Sequence, residues 1–308
     1  MAPFHKEMFA LSENKELKII SIMAFRGSGK STIMNLSYAL WSILGIQQKK
    51  CVVIISRTKN QAANHFLNLQ DELKNNLLLR QDLGPFEIDE VTDNALSLLL
   101  PAMKARIFIA SSRQSIRGIR HEAQRPDLII LDDVEDTLAP QENKDNTYKW
   151  FNEEILPLGD EGTRIVILGN LISKNSFLMR IKNDIEEKKI NGIFKAFHIM
   201  DDYGTPLWPS RVPKKEIDNL KNQIPDKKTW EREYLLQIDD YNVMHPNKAE
   251  NDGSNSGIFD SLKFPEKPYN PNPNPKTMAD YTISRPLIRD KEFLIEEWGK
   301  ILRKICES

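Results

Sequence analysis

The sequence predicts an α/β fold: a mostly parallel sheet with helices on both faces, then a small helical appendage and an extended tail. Three observations lead there. Short apolar runs recur along the chain, "LKIISIM", "CVVIIS", "DLIILDD" and "RIVILGN", and a strand buried on both faces reads this way. Stretches with helical spacing separate these runs, and that alternation builds a parallel sheet. The alternation stops near residue 200, and beyond residue 240 Asn, Pro, Gly and Ser accumulate.

Each element follows from its own residues. Residues 4–11 read as a short helix and 18–25 as a buried strand. Ile33, Leu36, Leu40, Ile43 and Leu44 share one face of a helix predicted over 30–44. A second strand covers 51–56, opened by Cys51 as a buried thiol, and a long helix over 58–79 takes Thr58 as its N-cap. Residues 95–100 and 105–110 read as two strands of a hairpin joined by "PAMK". Buried strands at 127–133 and 164–170 alternate with helices at 142–156 and 175–188, and "IFKAFHIM" reads as a further strand. This divides the chain into a core at 1–200, a helical appendage at 201–240 and a tail at 241–308. "HPNKAENDGSNSG" and "FPEKPYNPNPNPK" make that tail a linker. A last helix at 290–306 carries Trp298 as an anchor for another surface.

Composition narrows the class little. The chain has 308 residues, 40% hydrophobic and 28% charged, with a formal net charge of −1. Nothing global demands a nucleic-acid partner, although a neutral total can hide a basic stripe. Two cysteines, Cys51 and Cys306, show neither metal spacing nor a disulfide framework. "MAPFHKEMFALSENKE" lacks the apolar core of a signal peptide, and no apolar run reaches the ~20 residues of a membrane span. A soluble, cytoplasmic protein is expected. His5, His65, His121, His198 and His245 show no metal spacing, and His121 reads as a surface residue. Trp41, Trp150, Trp208 and Trp230 read as packing residues.

Four features carry chemistry. The first is "AFRGSGKST", residues 24–32, between a strand and a helix. It matches the phosphate-loop pattern G-x-x-x-x-G-K-[ST] with Ala24 in the first glycine place, so the first turn must keep a negative φ. Gly27 and Gly29 let the backbone curl so that N–H groups point inward at phosphate. The helix that follows adds its positive end. Ala24, Arg26, Gly27, Ser28, Gly29, Lys30, Ser31 and Thr32 therefore form a nucleotide cradle. Lys30 reaches the β- and γ-phosphates and Ser31 holds Mg²⁺. The second feature is "RPDLIILDDVED", where a strand ends in Asp132 and Asp133, with Glu135 and Asp136 beyond. One carboxylate there binds the Mg²⁺ shell, and another accepts a proton from, or orients, an attacking water. The third is Asn170, at the end of "RIVILGN", where an amide holds that water or meets the γ-phosphate. The fourth is the stretch 104–125, in which six basic residues face a single acid, Glu122. Arg113, Arg117 and Arg120 are its candidates for a phosphate backbone or for reaching a neighbouring subunit. A solvated basic loop is the plainer alternative.

"IMAFRGSGKST", "SSRQSIRGIRHEAQRPDLIILDDVED" and "RIVILGN", in this order, resemble the ATPase domain of phage terminase large subunits, the motors that package viral DNA. "TWEREYL" at 229–235 resembles the segment where that domain ends. The resemblance implies an ASCE-type P-loop NTPase using ATP and Mg²⁺ to move double-stranded DNA. It implies a homo-oligomeric ring, with the portal and the small terminase subunit as partners, in the host cytoplasm. It makes Arg26 the arginine that reaches the γ-phosphate, Lys30 and Ser31 the phosphate and Mg²⁺ contacts, and Asp132 the Mg²⁺-associated acid. Asp133 falls where many members carry a catalytic glutamate, with Glu135 the competing candidate. Gly169 and Asn170 match the motif that couples hydrolysis to movement. Members usually continue into a nuclease domain, whereas about 70 residues follow position 240 here, short of the roughly 100–150 typical of a domain. No DNA cleavage is therefore expected. The alternatives are a helicase-like or repair ATPase, and a nucleotide-binding assembly protein without motor activity.

Overall fold

The computed structural model describes residues 1–84, 86, 89–91, 96–112, 114–136, 141–238 and 241–242. The strands, in chain order, are β1 (Ile19–Ala24), β2 (Cys51–Ser56), β3 (Asp89–Val91), β4 (Leu96–Leu100), β5 (Ala105–Ser111), β6 (Leu128–Asp132), β7 (Arg164–Gly169) and β8 (Gly192–Phe197). They form one eight-stranded sheet in the order β3-β4-β5-β2-β6-β7-β1-β8. Every pair from β5 to β8 is parallel, and β3-β4 and β4-β5 are antiparallel. The expected 95–110 hairpin is thus present. β1, β2, β6 and β7 are buried at every position.

Strand alternation sorts the side chains into two cores. Ile20, Ile22, Val52, Ile54, Ile130, Val166 and Leu168 face one side, with Met8, Leu40, Phe66 and Leu69 from the helices above. Ile19, Met23, Val53, Ile55, Ile129, Leu131, Ile165 and Ile167 face the other, with Phe151, Phe177 and Ile181. Each such burial contributes about 2 kcal/mol, so neither face is dispensable. Cys51 is buried as expected, and its thiol is pushed up to about 12 by burial and by the Asp127 charge.

Helices close both faces: α1 (Pro3–Glu13), α2 (Ala39–Leu44), α3 (Lys59–Asn75), α4 (Leu77–Leu83), α5 (Gln141–Trp150), α6 (Phe177–Glu186), α7 (Lys214–Gln223) and α8 (Lys227–Tyr234). Three differ from expectation. The helix predicted over 30–44 is π-helical over Thr32–Tyr38 before becoming α2, and such widened turns recur near functional sites. The helix predicted over 58–79 breaks at Asn76, whose N–H closes α3 on Glu72 and whose side chain caps α4 by accepting from Leu79 N at 2.9 Å. The helix predicted to 156 leaves the α form at Phe151–Ile155, another π-helical segment. Thr58 caps α3 as expected, accepting from Gln61 N at 3.2 Å.

The segment after β8 folds back on the first core: Trp208, Ile217 and Trp230 are buried there. It ends in a short pair, β9 (Gln237–Ile238) and β10 (Tyr241–Asn242). The tail from 243 and its expected helix at 290–306 lie outside the described residues. Among the described residues no helix is long and apolar enough to cross a membrane.

Candidate nucleotide site

Strand order makes the site. β7 lies between β1 and β6, with Met23 opposite Gly169 and Leu168 opposite Asp132. The loop after β1, the amide after β7 and the acids after β6 therefore emerge side by side at the C-terminal edge of a parallel sheet. Open α/β sheets bind ligands at this edge.

The loop after β1 curls as its glycines permit. Gly27 and Gly29 both have φ of +83°, while Ala24 ends β1 without a positive φ. The loop is pinned from outside and within. Phe25 N donates to Phe197 O at 2.9 Å, Arg26 N to Glu233 O at 3.0 Å and Ser28 N to Phe25 O at 3.1 Å. Thr32 opens the π-helical segment. The Arg26 side chain stands exposed at the loop's tip.

His5 from α1 braces this loop, and its signal in the sequence was only that of an unpaired histidine. Its Nδ1 accepts from Ala2 N at 3.1 Å, so Nε2 carries the proton and donates to Ser28 O at 2.7 Å. Phe4 and Trp208 rings lie 4.0 and 4.4 Å from its ring. Burial, helped by the N-terminal and Arg211 charges, lowers its pKa to about 4. The unfolded value is about 6.5, so the folded state favours neutral His5. That contribution is complete above about pH 6.5 and is lost as pH falls toward 4, worth roughly 2–3 kcal/mol. Urea midpoints of wild type and His5→Gln should therefore converge as pH drops from 7 to about 4.5. Parallel curves across that range would contradict it.

Lys30 is buried, with Nζ donating to Asn170 Oδ1 at 2.7 Å and lying 3.8 Å from Asp133 Oδ2. Ser31 Oγ donates to Asp132 Oδ1 at 3.0 Å, and Asn35 Nδ2 donates to Asp132 Oδ2 at 2.6 Å. Ser31 and Asn35 stand four residues apart, on one side of their helix. His65 Nε2 from α3 lies 3.2 Å from the same Oδ2. Burial alone would raise the Asp132 pKa, but His65, Lys30 and Ser31 outweigh it and hold the carboxyl below its usual range. Sequence reasoning missed Asn35 and His65, which lacked metal spacing and meet Asp132 only in the fold.

The next residue behaves oppositely. Asp133 takes a left-handed turn, φ +47°, a conformation aspartate tolerates better than most residues. Its N–H donates to Leu168 O at 3.1 Å, and its side chain turns toward Lys30. The carboxyl is 38% exposed. Burial raises its pKa, Lys30 lowers it, and the Asp132 and Glu233 charges raise it again, for a net upward shift.

The other acids are engaged elsewhere. Both Glu135 oxygens accept from Phe177 N, at 2.9 and 3.1 Å, so this buried carboxylate caps α6. Glu135, the competing candidate for the base, is engaged in this cap, whereas Asp133 faces Lys30. Asp136 pairs with Arg57 at 2.8 Å.

Arg117, Arg120 and Arg125 line a cleft of about 230 Å³ against Glu153, Glu154 and Pro157. Arg117 is 3.5 Å from Glu154, and Arg125 donates to Pro157 O at 2.8 Å. Arg113 lies outside the described residues. His121 is buried and not a surface residue, its backbone bridged to Gln124.

A magnesium ion fits this donor set. Ser31 Oγ and Asp132 supply hard oxygens, and the buried Asn35 Oδ1 beside them has no hydrogen-bond partner. Among the described residues no group of three or more His, Cys, Asp or Glu could hold a metal. An ion here would complete its shell with water and phosphate, as Mg²⁺ commonly does.

No family model matches the sequence, and no curated protein does. Solved structures match the fold. The large terminase of bacteriophage HK97 superposes with a TM-score of 0.53 at 14% identity, over 77% of this chain and 50% of that one. The large terminase of a thermophilic bacteriophage gives a TM-score of 0.53 in complex with ADP and 0.51 with ATP-γ-S. Both are at 14% identity, over 76% of this chain and 52% of that one. The chain thus spans about half the length of the terminases it matches. At this identity the likeness is one of fold: the described residues adopt the α/β architecture of phage large terminases.

Proposed function

We propose that the chain is the ATPase part of a phage DNA-packaging motor, a terminase large subunit that hydrolyses ATP with Mg²⁺ to move double-stranded DNA. One observation carries this: Lys30, Asp133, Asn170 and the Ser31–Asp132 pair meet at the tips of three adjacent strands. ATP-γ-S and ADP bind to the thermophilic phage terminase of the same fold.

In this reading residues 24–32 wrap the triphosphate, with Lys30 on the β- and γ-phosphates and Arg26 swinging onto the γ-phosphate. Ser31 and Asp132 hold Mg²⁺, which when bound neutralises charge on the β- and γ-phosphate oxygens. Asp132, kept ionised, suits that ligand role. Asp133, its carboxyl shifted upward, suits the proton acceptor that orients the attacking water, since a base works best with a pKa near the operating pH. Asn170 positions that water or the γ-phosphate. Residues 1–200 act as the motor core, 201–240 as the moving appendage and 241–308 as a linker to a partner. Arg113, Arg117 and Arg120 are the candidates for DNA contact. Ring assembly, the portal, the small subunit and a host-cytoplasm location come with the resemblance. DNA cleavage is no part of the proposal.

The test is phosphate release from ATP with and without linear double-stranded DNA. Mg²⁺-dependent turnover that rises about tenfold or more with duplex is expected, a barrier lowered by roughly 1.4 kcal/mol. Nucleotide binding without duplex-stimulated turnover would favour an assembly protein without motor activity.

A further inference from the structure

Between the phosphate loop and α8 runs a chain of polar contacts. Lys30 Nζ donates to Asn170 Oδ1 at 2.7 Å. The other end of that amide, Nδ2, donates to Glu233 Oε2 at 3.3 Å. Glu233 Oε1 lies 3.2 Å from Arg232 Nη2, and its side chain is 12% exposed. The backbone is tied at the same place, by Arg26 N to Glu233 O and Ile199 N to Tyr234 O, both at 3.0 Å. α8 is thus held to the site twice: by main chain at the loop, and by one side chain, Glu233, at Asn170.

An amide joins its two ends rigidly. While Lys30 occupies Oδ1, the plane of Asn170 is set, and Nδ2 points at Glu233. Lys30 is also the group that a triphosphate recruits, if the nucleotide reading above is right. Once the ammonium turns to phosphate, Oδ1 loses its charged donor and the amide is free to rotate, so the hydrogen bond to Glu233 is no longer enforced. The arriving phosphate also adds negative charge beside a carboxylate that already faces Asp133, and the Glu233 charge is felt there. Both effects loosen the side-chain tie and leave the main-chain one.

We propose that Glu233 is a positioning residue that reports the state of Lys30, through Asn170, to α8 and so to the 201–240 appendage. The inference rests on the proposed nucleotide site and deepens it by naming the element that moves. α8 carries its own reporter: Trp230 is buried and stacks on Tyr234 with centroids 4.7 Å apart.

The experiment uses the full chain with Mg²⁺ and ATP-γ-S. It measures affinity by calorimetry, the nucleotide-induced emission change of Trp230 as the difference between each protein and its Trp230→Phe version, and kcat and KM for ATP. Wild type should bind and change emission. Glu233→Ala should bind within about threefold of wild type, lose the Trp230 change, and drop in kcat by about tenfold with KM little altered. Glu233→Gln, which keeps an acceptor for Asn170, should recover most of the emission change. Should Glu233→Ala not fold, Glu233→Asp, one methylene short of Asn170, takes its place with the same expectation. A wild type that binds ATP-γ-S with no change at Trp230 overturns the relay, as does a Glu233→Ala that keeps the full change or a Glu233→Gln that recovers none. A wild type that fails to bind ATP-γ-S fails the nucleotide reading itself.

Discussion

Lys30→Ala is expected to remove ATP turnover, by at least about 100-fold, while leaving the fold intact. Lys30 is buried, and its ammonium meets Asn170 and Asp133. Truncation leaves Asp132 and Asp133 without their shared positive neighbour, which pushes Asp133 further toward its protonated form. A preorganised charge aimed at a transferring phosphoryl group typically contributes a factor of about 100–1000. Phosphate release and a thermal melt on the same preparation check both halves. Unchanged turnover would remove the phosphate-loop reading. Lost turnover with a collapsed melting transition would make Lys30 a structural residue.

Asp133→Asn and Glu135→Gln should part company. The two acids stand two residues apart, but the left-handed turn at Asp133 sends one carboxyl toward Lys30 and leaves the other to cap α6. Asp133→Asn keeps the shape and removes the proton acceptor, so kcat should fall by about 100-fold or more with KM nearly constant. Glu135→Gln retains one acceptor for Phe177 N, so turnover should stay within about threefold while stability drops by roughly 1 kcal/mol. The measurement is kcat for both variants beside their urea midpoints. The opposite pattern would return the base to Glu135.

What was legible in the sequence was local. The apolar runs, the glycines before Lys30 and the acids closing "DLIILDD" carry their meaning within a few residues, and these pointed to the parallel sheet, to the curled loop after β1 and to the acids after β6. The hairpin over 95–110 was legible because its strands adjoin. The insertion of β7 between β1 and β6 was not, since any order of buried strands reads alike. His5, Asn35, His65 and Glu233 escaped for the same reason. Each comes from a different element, and each acquires its role only by touching Ser28, Asp132 or Asn170. Asp133 and Glu135 stand too close in sequence for the choice of base to be read there, and the left-handed turn at Asp133 sends their carboxyls apart. Asn76 looked like mid-helix because its double role as closing and opening cap has no period to betray it.

The most direct test of the central claim is a structure of the chain with Mg²⁺ and ATP-γ-S. The triphosphate should lie inside residues 24–32, with Lys30 Nζ turned from Asn170 to the γ-phosphate and the metal between Ser31 and Asp132. A nucleotide bound elsewhere, with Lys30 still on Asn170, would contradict it.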